Sequence, residues 1–340
     1  MQDIFLLVIS LLMILASAEF FTNGVESLGR KLNLSQAVVG SLLAAVGTAL
    51  PETILPMVAI LVHGGASAEE IGVGAILGAP FMLGTLAFFL VGLSVLISYL
   101  RKKRERFELH VEVGTMRRDI LFFIAMYSTA IFLPMLFDGG HTFIAILLVI
   151  GYIVYAYLTF QGESGDIMHA DELYFARVIR RLTGSAATAE TAGIPLISFQ
   201  VLVALSLMVG GAHVFVGSLG TLSAAWGMNP MLFALLVAPV ATELPEKFNS
   251  VSWTLKGRDT LAMGNITGAM VFQSTFPVSV GLLFTDWKVT GLPLFSAILA
   301  LVSALLVLGE LSVRKKVSPA TIIIGGALYI VYAVVIIFGS

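Results

Sequence analysis

GTALPE at residues 47–52 and ATELPE at residues 241–246 agree at four of six positions across an offset of 194. Each sets a glutamate directly after a proline inside an otherwise apolar stretch. Downstream, residues 71–85 (IGVGAILGAPFMLGT) align with 261–275 (LAMGNITGAMVFQST). The pairs there are Gly74/Gly264, Ile76/Ile266, Gly78/Gly268, Ala79/Ala269 and Thr85/Thr275, at an offset of 190. The connection between the two blocks is therefore four residues shorter in the second half. Upstream, Ala18/Ala212, Phe21/Phe215 and Leu28/Leu222 coincide at 194. A single match of this kind arises easily by chance in apolar sequence. Several in one order, with one small gap, indicate an internal repeat.

The surrounding composition says what the repeat is built from. Of the 340 residues, 58% are hydrophobic and 12% charged, and the mean hydropathy is +0.99. A soluble domain carries about 25% charge, so this chain cannot cover a water-facing surface. The net charge of −2 excludes disorder and nucleic-acid binding. The absence of cysteine excludes disulfides and thiolate metal sites. Apolar runs of about 20 residues, the length that spans a bilayer as a helix, occur at 4–28, 35–62, 71–98, 119–137, 141–160, 194–222, 229–255, 260–285, 292–312 and 318–338. None shows the period-2 polarity of a membrane barrel. Only Asp3 precedes the first run, which therefore reads as a retained helix and not a signal peptide.

The expected fold is an all-α polytopic membrane protein of ten transmembrane helices in two inverted five-helix repeats. Residues 1–160 form the first repeat, 161–193 a cytosolic linker and 194–340 the second. Five helices per half make the second copy enter the membrane from the opposite side, a transporter architecture. All but two of the 19 basic residues fall in alternate connections. The positive-inside rule puts those in the cytosol and both termini outside, in a plasma (inner) membrane. The exceptions are Lys288 and Lys247, the latter inside a helix. The connection 100–118 reads as a solvated basic loop or an electrostatic lipid contact. A short interfacial helix around 171–182 is expected in the linker.

The two proline motifs carry the candidate chemistry. Thr48 and Glu52 are four residues apart and share a helix face. Pro51 lacks an N–H and its ring clashes with the carbonyl of Gly47, which is left free to coordinate. Thr242, Pro245 and Glu246 repeat the set and free the carbonyl of Ala241. Each half thus offers a hydroxyl, a carboxylate and a backbone oxygen near mid-helix, hard ligands of the type Na⁺ and Ca²⁺ prefer. A carboxylate at the bilayer centre costs about 2.5–3.5 kcal/mol on insertion scales. The alternative is a kinked helix whose glutamate is only protonated or paired, which two related copies argue against.

These paired segments resemble the α-repeats of the Ca²⁺:cation antiporter superfamily, of the sodium/calcium exchanger type. That family carries a G-T-S-L-P-E-like motif on the second helix of each half and G-N-x-x-G-S-N-x-F-N on the third. The resemblance covers both motif pairs and the ten-helix plan. It implies alternating access, with Glu52 and Glu246 as central ligands and Thr48 and Thr242 as their hydroxyl neighbours. The departures are specific. The family's serine after G-T is Ala49 in one half and Glu243 in the other. Its G-S-N becomes Gly78-Ala79-Pro80 and Gly268-Ala269-Met270, without the side-chain oxygen usual there. Neutral ligands are left mainly in the second half, with Asn265 and Thr267 the candidates.

Lys247 follows Glu246 and lies four residues after Glu243, the favourable order for a helical pair. Its ammonium could act as a tethered cation that replaces a bound Na⁺. It could instead snorkel to the interface or only brace helix 7. Glu19 and His213 stand at equivalent places in helices 1 and 6, toward opposite sides, as access-path or proton-shuttle candidates or as packing groups. His63 carries no expected role.

The expected function is a secondary-active cation antiporter exchanging Ca²⁺ for Na⁺. H⁺-coupled exchange of Ca²⁺ or another divalent cation is the alternative, and a channel a third reading. Helices 2, 3, 7 and 8 would hold the ion while helices 1 and 6 slide across them. The glycines at 210, 211, 217 and 220 suit such packing. An enzyme is not expected, since H-E-x-x-H is absent and the sequence places no aspartate inside a span. No cofactor is expected beyond the transported Ca²⁺ with Na⁺ or H⁺. The partners are inorganic cations and the lipid bilayer, with the oligomeric state left open.

Overall fold

The computed structural model describes residues 2–32, 44–137, 139–160, 173–177 and 193–339. Helix α1 is Gln2–Lys31 and α2 is Ala44–Val58, extended by a π turn at Ala59–His63. Next come α3 (Ala66–Met82), a π turn (Leu83–Ala87) and α4 (Phe88–Leu100), one uninterrupted rod. Helices α5 (Val113–Leu136) and α6 (His141–Phe160) close the first half. The second half has α7 (Ile194–Trp226), α8 (Pro230–Leu255), α9 (Asp259–Gln273), α10 (Phe276–Phe284), α11 (Gly291–Arg314) and α12 (Pro319–Gly339). No strand occurs among the described residues.

Eight of these stretches are long and apolar enough to cross a membrane. Shorter apolar stretches, Ala49–His63 and Pro230–Glu243, lie on α2 and α8, the two helices that carry the proline motifs. The helix breaks fall where local chemistry demands them. Gly64 and Gly65 have φ of +73° and +88°, open to glycine at little cost, and turn α2 into α3. Gly227 ends α7 in the left-handed conformation. Two residues on, the Asn229 side chain accepts from the amide of Leu232, and Pro230 takes the first helical position of α8.

Burial is unequal. In the apolar 18-residue stretch of the span Ala66–Leu100, 67% of residues are buried, and in that of Asp259–Phe284 72%, against 22% in those of α1 and α6. The α3 and α9–α10 segments therefore form the centre. Phe5, Phe143 and Ile330, on α1, α6 and α12, are each more than half exposed. Apolar surface of that extent suits lipid contact.

Close packing follows the small residues. Helix α3 lies along α8, where a Cβ at Gly74 or Gly78 would land on the carbonyl oxygens of Met231 and Leu235. Pro239 cannot donate to the Leu235 carbonyl, so the glycine backbone covers an oxygen that the helix itself leaves open. Helix α1 runs along α7. There Gly211 meets Ile14, Met13 and the carbonyl of Ser10, whereas Gly217 faces His63 and Gly220 faces Ile71 and Ser67. The expected α7 glycine patch is therefore divided among three neighbours and is not a single sliding face.

One basic connection is fastened, not merely solvated. Arg104 donates to both oxygens of Asp259 and to the carbonyl of Thr254, and the amide of His110 also donates to Asp259. The Asp259 side chain is fully buried. Bonding to it holds the Arg104 guanidinium above its already high ordinary range. This joins the 101–112 connection to the start of α9. Of the linker, 173–177 is described, and it makes one helical turn at 174–177. The rest of the expected 171–182 helix lies outside the described residues.

Candidate functional site

Glu52 and Thr242 come from opposite halves of the sequence and line the same cavity. Leu55 and Pro56 of α2, Ala75 and Ala79 of α3, and Ala238 and Pro239 of α8 complete its wall. The space is small. It leaves about 10 Å³ for the centre of a water-sized sphere, at the lower edge of what a single water needs. Glu52 is 8% and Thr242 4% exposed.

The local reasons for this arrangement lie in α2, α3 and α8. Pro51 and Pro56 both fall inside α2, which withdraws two amides from the helical ladder. The Thr53 hydroxyl donates to Ala49 O at 2.8 Å and the Thr242 hydroxyl to Ala238 O at 3.0 Å. Each hydroxyl spends its proton on its own helix and keeps lone pairs for an acceptor role. On α3 the alanines Ala75 and Ala79 leave room for the Glu52 carboxylate.

Glu243 and Lys247 are 1% and 2% exposed. Neither they nor Glu52 lacks a polar or charged partner. Lys247 therefore does not reach the interface. Gly47 and Thr48 lie on α2 and Glu246 on α8, but their side-chain environments fall outside the described residues. Ala241 is partly buried against the cluster around α1, α2, α7 and α8.

The other two expected ligands face elsewhere. Asn265 donates to Ser250 Oγ at 3.2 Å, joining α9 to α8. Thr267 is fully buried and donates to Asp119 Oδ2 at 2.7 Å, toward α5. Asp119 itself corrects the sequence reading. Helix α5 starts at Val113, six residues before the expected boundary, so this aspartate sits within the helix, 2% exposed, with Arg118 at 3.3 Å. The start is set by Glu112, whose carboxylate accepts from the amides of Gly114 and Thr115. Bonding to Thr115 and Gly114 holds the Glu112 carboxyl below its usual range. An acidic cap before an apolar run is the signal that could have revealed it.

Further contacts lie beyond what the sequence indicates. Glu19 accepts a hydrogen bond from Tyr174 Oη at 2.6 Å, which docks the 173–177 turn on α1. Asn23 and Gln200 accept from the amides of Tyr174 and Phe175, so the turn bridges α1 and α7. His213 on α7 meets His63 at the end of the α2 π turn.

Glu52 and Glu243, from opposite halves of the sequence, are thus buried on proline-containing helices within a bundle of helices suited to a membrane. The sodium/calcium exchanger protein family matches residues 3–161 and 196–338, and the chain belongs to it. CaxA of Alkalimonas amylolytica, named as a candidate antiporter, is 25% identical over 283 residues, 82% of this chain and 79% of that protein. The inner membrane protein YrbG of Escherichia coli (strain K12) is 22% identical over 291 residues, 84% of this chain and 80% of YrbG. Among solved structures, the H⁺/Ca²⁺ exchanger CAX superposes with a TM-score of 0.70 at 17% identity, covering 99% of this chain and 82% of CAX. The sodium-calcium exchanger NCX_Mj gives 0.57 at 18% identity, covering 98% and 97%. At these identities the two structures share the fold.

Proposed function

We propose that this exchanger-family protein is a secondary-active antiporter that moves Ca²⁺ against Na⁺ by alternating access. The carrying observation is the small buried cavity in which Glu52 of the first half meets Thr242 of the second. Glu246 and Thr48 are proposed to complete the ligand set by the repeat, with the carbonyls of Gly47 and Ala241 and the carboxylate of Glu243. Two inverted repeats, 1–160 and 194–340, would supply one motif each, with both termini outside the plasma membrane. Asn265 and Thr267 are proposed to support α9 and not to touch the ion. Lys247, buried one residue from Glu246, is proposed to occupy the place of one Na⁺ and lower the coupling ratio.

H⁺-coupled divalent exchange is the second reading. It is favoured by Ala79-Pro80 and Ala269-Met270, where neutral oxygen ligands for extra Na⁺ are missing. Flux in reconstituted vesicles separates the two. Ca²⁺ uptake driven by an outward Na⁺ gradient supports the first, uptake driven by a pH gradient alone the second. Ca²⁺ flux independent of any counter-ion gradient would favour a channel and overturn both.

A further inference from the structure

We infer that His63 and His213 form a transition-metal site, separate from the Glu52–Thr242 cavity, that bridges the end of the α2 π turn and α7. Their Nδ1 atoms are 3.3 Å apart, with ring centroids at 4.6 Å and planes inclined by 45°. Two imidazole nitrogens bound to one tetrahedral zinc, each about 2.0–2.1 Å from the metal, stand about 3.3–3.4 Å apart. The observed separation is thus the bite of a two-histidine chelate. A head-on N–H···N bond of that length would put the centroids about 5.5 Å apart. The shorter centroid separation shows that the two rings are inclined and not collinear. Both side chains lie on the surface of the helix bundle.

The backbone supports the pairing. His63 ends the π turn at Ala59–His63, directly before Gly64 with its φ of +73°. One helical turn beyond His213, Gly217 leaves room for the His63 ring, whose Cε1 a Cβ there would approach to 3.3 Å. Among the described residues no cluster of three or more histidine or carboxylate ligands occurs. Water would fill the remaining positions, which makes the site open and exchangeable.

The ligand chemistry sets its selectivity. Imidazole suits Zn²⁺, Ni²⁺ and Cu²⁺, whereas Ca²⁺ takes hard oxygens. The two sites should therefore sort cations by softness, and the histidine site does not depend on the antiporter reading.

The test uses the full chain in detergent with Glu52→Gln and Glu246→Gln in place, so that the central carboxylates do not compete. Calorimetric titration with Zn²⁺ should give one ion per chain. His63→Ala and His213→Ala should each weaken it by about tenfold or more, since losing even an outer-shell partner costs about 10–100-fold. As a second measurement, Zn²⁺ should raise the melting temperature of the Glu52→Gln, Glu246→Gln chain and leave it unmoved once His63→Gln is added. No Zn²⁺ binding, or binding in both histidine variants as tight as without them, overturns the proposal.

Discussion

The third helix of each half departs from regular α geometry at the same aligned threonine, yet only one of the two breaks. In the first half Thr85 sits in a π turn and the rod runs on from Ala66 to Leu100. In the second, Thr275 has left the helix (φ −122°, ψ −74°) and α9 and α10 are separate. The deciding residue is two positions further along. Pro277 cannot donate to the carbonyl of Gln273, whereas its first-half counterpart is Ala87. Both threonines turn their hydroxyls back on the carbonyl four residues earlier, Phe81 O and Val271 O. The added donor differs: Ser303 of α11 donates to Gly84 O in the first half, whereas Ser274 donates to Val271 O in the second. Two copies of one plan thus share the position of a departure from α geometry, and only the copy with Pro277 breaks there.

The strongest test of equivalence between the halves lies at the motifs themselves. Glu52→Gln and Glu246→Gln should each cut cation exchange in vesicles by about a hundredfold or more. That is the scale of removing a buried charge from its partner, ~3–5 kcal/mol. If one variant were inert and the other fully active, the site would belong to one half only.

A smaller effect is expected at Lys247, which breaks the symmetry between α2 and α8. Its first-half counterpart, the residue after Glu52, is the uncharged Thr53. Lys247→Met should raise the number of Na⁺ moved per Ca²⁺, read from the reversal potential of flux in vesicles. An unchanged ratio would reduce Lys247 to a brace for Glu243.

The glycine pairs give the next contrast. Gly78 lies against the Leu235 carbonyl, but its partner Gly268 has only Tyr155 Oη at 3.5 Å, and no described atom lies within 4 Å of a Cβ at Gly264. Gly78→Ala should therefore cost about 1–3 kcal/mol by overpacking, seen as a lower melting temperature. Gly268→Ala should be nearly neutral. Equal losses would mean that both halves pack their third helix alike.

Much of this was legible in the chain because proline, glycine and charge act locally. The helix order and the repeat of the proline motifs follow from such residues. What could not be read depends on partners distant in sequence. Thr267, a candidate ligand by sequence, is bonded to Asp119 of α5, 148 positions away. Asp119 looks like the edge of a loop because Arg117 and Arg118 precede it, although the Glu112 cap begins the helix earlier. His63 and His213 are 150 positions apart, with nothing in either segment to connect them.

Thr267 supplies the mildest test. Its first-half counterpart is Leu77, fully buried and apolar, so the hydroxyl is a feature of one copy alone. Its hydrogen bond ends on a buried carboxylate at 2.7 Å, between α9 and α5. Thr267→Val keeps the shape but leaves Asp119 one donor short, for a cost of about 1–2 kcal/mol. Thr267→Ser, which retains the donor, should recover most of that loss. Apparent Ca²⁺ affinity should stay at the unsubstituted value in both, because the hydroxyl is bonded to Asp119 and Thr267 is not among the residues lining the Glu52 cavity. A drop in affinity without loss of stability would instead put Thr267 among the ligands, and the second half would then hold the ion more tightly than the first.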